Sequence, residues 1–195
     1  MNFNSYFTTQ YNARESTPEA DLIISHWKKK SFELREIEKG IIDIPYGDSE
    51  GERLDIFPSD TPKSPLLVFI HGGWWRSLDK SDFSFIVKEY KKKGIAVALT
   101  NYKLAPKATI QEIILQQIKA FTWLYKNSRN FDRNKIIVAG HSAGGHLAAM
   151  MMTTRWKNID NNLPENLIKG GILLSGIYDL NPVKHVDFVE DDFKL

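Results

Sequence analysis

Gly140-His141-Ser142-Ala143-Gly144 sets a serine between two glycines. The apolar run Ile136 to Ala139 precedes it, and Leu147, Met150 and Met151 follow on one helical stripe. A tight strand-to-helix turn forces its central residue into a strained backbone conformation and leaves no space for a Cβ on either side, which glycine at 140 and 144 accommodates. The Ser142 hydroxyl is then expected to project from a helix N-terminus, where the partial positive charge favours an anion. That is the placement of an attacking nucleophile. A chance glycine-rich turn would have the same composition, but the strand before and the stripe after match what the nucleophile's turn requires.

His71-Gly72-Gly73-Trp74-Trp75 is the second such stretch, and it too follows an apolar run, Leu66 to Ile70. Acyl transfer needs backbone N–H donors aimed at the oxyanion that develops on the attacked carbonyl. One donor is expected from Ala143, directly after the nucleophile, and one from Gly72 or Gly73. Trp74 is a candidate for contact with substrate. Trp75 reads more readily as core.

The elements that must position these loops are visible in the pattern. Thr17-Pro18-Glu19 reads as a helix start with a capping hydroxyl, followed by Leu22, Ile23, His26 and Trp27 at helical spacing. Ile41 to Ile44 and Arg53 to Phe57 read as an antiparallel pair of short strands. From Pro65 onward, strands Leu66 to Ile70, Ile95 to Leu99, Lys135 to Ala139 and Gly171 to Leu174 alternate with helical stripes. Those stripes are Phe83, Ile86, Val87 and Tyr90, then Ile110 to Tyr125, then Gly144 to Thr153. Continuous apolar strands alternating with helices predict a mostly parallel sheet with helices on both faces. No repeat, low-complexity stretch or linker divides the chain, so residues 1–195 are expected to form one α/β domain.

Composition excludes several function classes. The 195 residues are 42% apolar and 26% charged, with a net charge of +2, too weak a bias to argue for nucleic acid or an anionic membrane. The lysine runs Lys28 to Lys30 and Lys91 to Lys93 are expected on solvated helix ends. The absence of cysteine excludes disulfides, thiolate metal sites and a cysteine nucleophile. There is no H-E-x-x-H and no carboxylate cluster at ligand spacing, so neither metal nor cofactor is implied. No window reaches the ~18 apolar residues of a membrane span, and Met1 to Asn12 lacks the apolar stretch of a secretory signal. A soluble, cytoplasmic protein is the expectation.

The two loops occur in an order that resembles the α/β-hydrolase superfamily, in particular its HGGxW branch of kynurenine formamidases and related carboxylesterases. The resemblance is carried by Tyr11 to Arg14, Val68 to Trp75, Asn101 to Pro106, Gly140 to Leu147 and Ser175 to Leu180, and so covers essentially the whole chain. Lys107 departs from it, standing where many relatives place an acid. The resemblance implies a serine hydrolase of small carboxylic esters or arylformamides. Ser142 would be the nucleophile, Gly72, Gly73 and Ala143 the oxyanion donors, and Trp74 and Tyr178 an aromatic side of the substrate site.

In that superfamily the acid and the histidine follow the serine on later strands. Only Ile172 to Leu174 reads as a strand after the nucleophile's helix, so the last strands and both residues are expected beyond residue 195. Asp179 and His185 are the candidates nearer at hand, while His141 and His146 are expected to pack locally. The alternative to an enzyme is a catalytically inactive small-molecule-binding protein of the same fold, or an inactive fragment. Oligomeric state is not legible from the residues.

Overall fold

The apolar runs sort themselves onto two faces once they are paired. In the computed structural model, which describes residues 3–127 and 129–190, β3 (Leu66–Ile70) and β4 (Ala96–Thr100) are buried at every position. Leu66, Val68, Ile70, Ala96 and Ala98 point into one core, and Leu67, Phe69, Val97 and Leu99 into another. The period of two along a strand makes this division unavoidable, so a strand buried on both faces reads as a run without polar interruption.

β1 (Ile41–Pro45), β2 (Arg53–Phe57), β5 (Ile136–His141) and β6 (Ile168–Leu174) complete a sheet of order β1-β2-β4-β3-β5-β6. β1 pairs antiparallel with β2, as expected, and β2 also runs antiparallel to β4. β4, β3, β5 and β6 are parallel. The register sets Ile70 opposite Gly140, so the loops that follow β3 and β5 leave the sheet side by side.

Helices cover both faces. On one side lie α4 (Ile110–Lys126), α5 (Ala143–Thr153) and the short α6 (Trp156–Ile159), burying Ile113, Phe121, Leu124, Leu147, Met151 and Trp156. On the other, α2 (Ala20–Ile37) and the 3-10 turn Lys80–Ile86, which passes into α3 (Val87–Lys91), contribute Leu34, Phe83 and Val87. Each of these large apolar side chains stabilises the fold by about 1.5–3 kcal/mol relative to exposure. α4 is the best signalled helix: Thr109 and Glu112 form a reciprocal capping box at its start. The arrangement is the α/β-hydrolase fold.

Local readings differ from the structure at three places, and a helix stands at a fourth where none is read from the sequence. Thr17 is not a cap: its carbonyl accepts from the Ala20 N–H in a turn, and Glu19 is the N-cap residue, without a side-chain cap bond. The stripe Phe83 to Tyr90 is a 3-10 turn, capped by Asp79 and Asp82, before it becomes α-helical. Lys28 to Lys30 lie exposed in the middle of α2 rather than at its end. The polar and aromatic N-terminus forms a helix, α1 (Phe3–Tyr11), which packs on the 3-10 turn Pro182–His185 and on α7 (Asp187–Glu190), with the Asp187 N–H donating to Thr8 Oγ1 at 2.9 Å.

A buried ion cluster joins α2 to the sheet and to the 3-10 turn. The fully buried Asp55 carboxylate on β2 pairs with Arg35 and, at 2.8 Å, with Lys80, whose side chain is 4% exposed. Lys80 also reaches Asp43 at 2.6 Å, and the Asp43 N–H donates to Asp55 Oδ1 at 2.8 Å. Removing the central carboxylate would leave the Lys80 charge buried with only Asp43 beside it. Asp55→Asn is therefore expected to lower unfolding stability by about 3 kcal/mol, read as a fall in the urea midpoint at unchanged slope. A change within error would show that the cluster contributes nothing net.

Among the described residues β6 is the outermost strand at its end of the sheet, and Ile172 and Leu174 on it are 40% and 49% exposed. Met152 and Ile159 are also exposed. Of the segment 186–195, which by its position after β6 is expected to shield this edge in part, residues 191–195 lie outside the described residues, while α7 packs on α1 and Val186 and Val189 are buried in the core. An apolar edge strand is a template for pairing. Residues 1–195 expressed alone are expected to self-associate, and Leu174→Lys to suppress it, as measured by size-exclusion chromatography with light scattering. A monomer at all concentrations would show that the edge is not available.

Candidate active site

Ser142 lies at the junction of β5 and α5 with φ 57° and ψ −121°. A non-glycine residue there costs on the order of 1–3 kcal/mol and persists only where its surroundings enforce it. They do so from both sides. A Cβ on Gly140 would stand 2.0 Å from Gly144 O, and one on Gly144 2.0 Å from Ile70 O. The Ser142 N–H donates to Leu174 O at 2.8 Å, tying the turn to the end of β6, and its carbonyl accepts from His146 N at 3.1 Å. Ser142 is the N-cap residue of α5, yet its side chain makes no cap bond. The hydroxyl is thus not consumed by the helix, while the first N–H groups of α5, Ala143 among them, have no intrahelical acceptor.

The loop after β3 lies directly against this turn. A Cβ on Gly72 would fall 3.2 Å from Ser142 Cβ and 2.6 Å from His141 O. Gly73, Trp74 and Trp75 have φ of 100°, 54° and 53°. Two consecutive tryptophans with left-handed φ are a marked departure from the usual steric preference. Internal bonds hold them: Gly73 O accepts from Arg76 N at 3.0 Å and Ser77 N at 2.9 Å, and Trp75 O accepts from Ala105 N at 2.9 Å. Trp75 is fully buried.

The aromatic candidates are placed unequally. Trp74 is half-buried; its ring meets Phe188 edge-on at 5.3 Å and Tyr11 at 6.3 Å, so α1 and α7 both dock on it. Tyr178 is 57% exposed and lies over Gly176, where a Cβ would meet its ring at 2.4 Å. Gly176 in turn approaches Gly145 in the first turn of α5. His141 sits edge-on to Trp27, and His146 is buried edge-on to Trp75. Burial pushes both imidazoles below their ordinary pKa. Asp179 accepts from the Asn181 N–H and amide at 2.9 Å, and His185 stacks on Phe7 at 5.8 Å. Among the described residues no hydrogen bond joins an imidazole to Ser142, and no group of three or more His, Asp or Glu forms a potential metal site.

Two side chains beneath the loop escaped the sequence reading. His71 is buried, stacks face to face on Tyr102 at 4.4 Å, and brings Nδ1 to 2.8 Å from Gly72 O. The Tyr102 hydroxyl donates to His71 O at 3.1 Å and also lies 3.4 Å from Gly72 O. Both residues stood within the stretches that carry the family resemblance, but their contact spans two loops and leaves no periodic signal.

Burial lowers the His71 pKa from the ordinary 6.5 to about 4, against the opposing effect of its bond to Gly72 O. The ring is therefore neutral near pH 7, and because a carbonyl only accepts, Nδ1 carries the proton. Between pH 6.5 and 4 the unfolded chain binds a proton here that the folded chain does not, so stability falls as pH drops, by about 3 kcal/mol in all. His141 and His146 add to the same slope. His71→Asn is expected to flatten the dependence of the urea midpoint over this range. Parallel curves for the two proteins would remove His71 as a source of acid sensitivity.

The BD-FAE family model matches residues 54–189. A kynurenine formamidase of Danio rerio is 35% identical over 174 residues, covering 88% of this chain and 57% of that protein. One of Drosophila melanogaster is 31% identical over 196 residues, covering 96% and 63%. The chain thus spans less than two thirds of the length of these relatives. A solved structure of a candidate thioesterase from Silicibacter sp. tm1040 superposes with a TM-score of 0.82 at 29% identity, covering 95% of this chain and 68% of that one. The family match spans most of the sheet together with both loops around Ser142, and the chain belongs to the BD-FAE family.

Proposed function

We propose that the full-length protein is a serine hydrolase of small carboxylic esters or arylformamides, working through an acyl-enzyme on Ser142. The observation that carries this reading is the backbone of Ser142, φ 57° and ψ −121°, with a hydroxyl that the helix does not use for capping. Ser142 Oγ attacks the carbonyl carbon, and the C–O or C–N bond to the leaving group breaks as the tetrahedral intermediate collapses. The N–H groups of Gly72, Gly73 and Ala143 hold the oxyanion. Water then releases the acid and restores the serine.

The step needs a base to take the hydroxyl proton and return it to the leaving group. None of the five histidines is assigned that role. His26 is exposed on α2, and the other four face Gly72 O, Trp27, Trp75 and Phe7. The reading places the histidine and its acid outside the described residues. The likeness to kynurenine formamidases supports an arylformamide as one substrate class. The rings of Trp74, with Tyr11 against it, and of the exposed Tyr178, over Gly176 near the first turn of α5, support an aromatic acyl or leaving group.

Labelling the full-length protein with a fluorophosphonate, followed by mapping of the adduct, is expected to find it on Ser142. Ser142→Ala is expected to abolish both the label and ester hydrolysis. An adduct elsewhere, or hydrolysis undiminished by the substitution, would refute the assignment.

A further inference from the structure

The first three carbonyls of the loop after β3, those of His71, Gly72 and Gly73, are all engaged. His71 O accepts from the Tyr102 hydroxyl, Gly72 O from His71 Nδ1, and Gly73 O from Arg76 N, Ser77 N and Ser77 Oγ. In a planar trans peptide the C=O and the N–H of the next residue point in opposite directions. Turning the His71 and Gly72 carbonyls toward Tyr102 and the His71 ring therefore turns the Gly72 and Gly73 N–H groups to the opposite side. The groups that set this orientation are rigid. Tyr102 is 2% exposed, His71 is 1% exposed, and their rings lie 4.4 Å apart at 9°. Phe83 also stacks on the His71 ring, at 6.2 Å and 17°.

The residue that brings Tyr102 here is equally constrained. Asn101 ends β4's path with its N–H on Arg53 O, its carbonyl accepting from Tyr46 Oη and Gln117 Nε2, and its side chain bridging Lys80 N and Asp79. A buried tyrosine hydroxyl fixed in this way has a single proton to give, and the shorter of its two carbonyl contacts is the one to His71 O.

We propose that Tyr102 and His71 form a clamp that sets the aim of the oxyanion donors, making them positioning residues for the reaction rather than core packing. The proposal rests on the serine-hydrolase reading of Ser142. It explains why two polar groups occupy the apolar interior beneath a glycine loop. Glycines at 72 and 73 permit the loop's conformation but do not select it. The clamp does, before substrate arrives, so that the donors need no reorganisation when charge develops.

The test follows ester hydrolysis and the rate of fluorophosphonate labelling in the full-length protein. Tyr102→Phe keeps the ring stack and removes only the hydroxyl. It is expected to lower kcat and the labelling rate by about 10–100-fold, leaving KM within about twofold. His71→Leu is expected to show a similar loss, and His71→Asn, whose amide can still donate toward Gly72 O, to recover part of it. Wild-type kcat in both Tyr102→Phe and His71→Leu would overturn the clamp, as would equal losses in His71→Leu and His71→Asn. If Tyr102→Phe fails to fold, the two His71 variants decide alone. Labelling that persists in Ser142→Ala would instead overturn the functional reading on which the clamp depends.

Discussion

The first turn of α5 and the end of β3 approach so closely that no side chain fits between them. Where Gly144 would carry a side chain, Ile70 O stands at 2.0 Å, and where Gly140 would carry one, Gly144 O does. Backbone meets backbone with nothing between. Because β3 and β5 are parallel neighbours in register at Ile70 and Gly140, this contact also brings together the two loops that leave them. Gly72 comes to rest against Ser142 for the same reason. A methyl group at any of these positions would push the loops apart, and with them the hydroxyl and the N–H donors.

Strain accumulates where the loops meet. Ser142, Trp74 and Trp75 all take left-handed φ without being glycine. Such conformations survive because the surroundings leave no alternative. Leu174 O holds Ser142 from β6, Ala105 N holds Trp75 from the loop after β4, and His71 and Tyr102 hold the carbonyls beneath. Three strands thus supply restraints to one small region. Burial keeps the His71 ring neutral, so it can donate to Gly72 O without introducing a charge into the core.

The surrounding structure is joined to this region by two different kinds of contact. On the α2 face the link is ionic: Asp55 gathers Arg35 and Lys80, and the Lys80 backbone reaches Asn101, one residue before Tyr102. On the other side it is aromatic, with Tyr11 from α1 and Phe188 from α7 meeting on Trp74. The ionic link has directional bonds and buried charge, which resist displacement. The aromatic link depends on area and ring geometry, and it joins the loop after β3 to both described ends of the chain. Trp74 therefore has a role in packing α1 and α7 as well as standing beside the candidate site.

The strands, the long helix α4, the order of alternation and the serine turn were legible because each is a local signal. Unbroken apolar runs mark strands buried on both faces, an apolar stripe from Ile110 to Tyr125 marks α4, and glycines on either side of Ser142, set between an apolar run and a helical stripe, mark a turn where a Cβ cannot fit. Thr17 misled for the complementary reason: a capping residue is defined by where the helix begins, and here the N-cap falls two residues later, at Glu19, with α2 starting at Ala20. α1 was missed because its nine residues carry little amphipathic pattern and are held by residues 182–190 from the far end of the chain. The stacking of His71 on Tyr102, the convergence of Arg35 and Lys80 on Asp55, and the docking of two terminal helices on Trp74 depend on residues 20 to more than 100 positions apart. Sequence alone determined which residues could be nucleophile and donors, since that is decided by steric limits within a few residues. Only the tertiary structure decided which buried side chains aim them, because a hydrogen bond between loops depends on strand order and register.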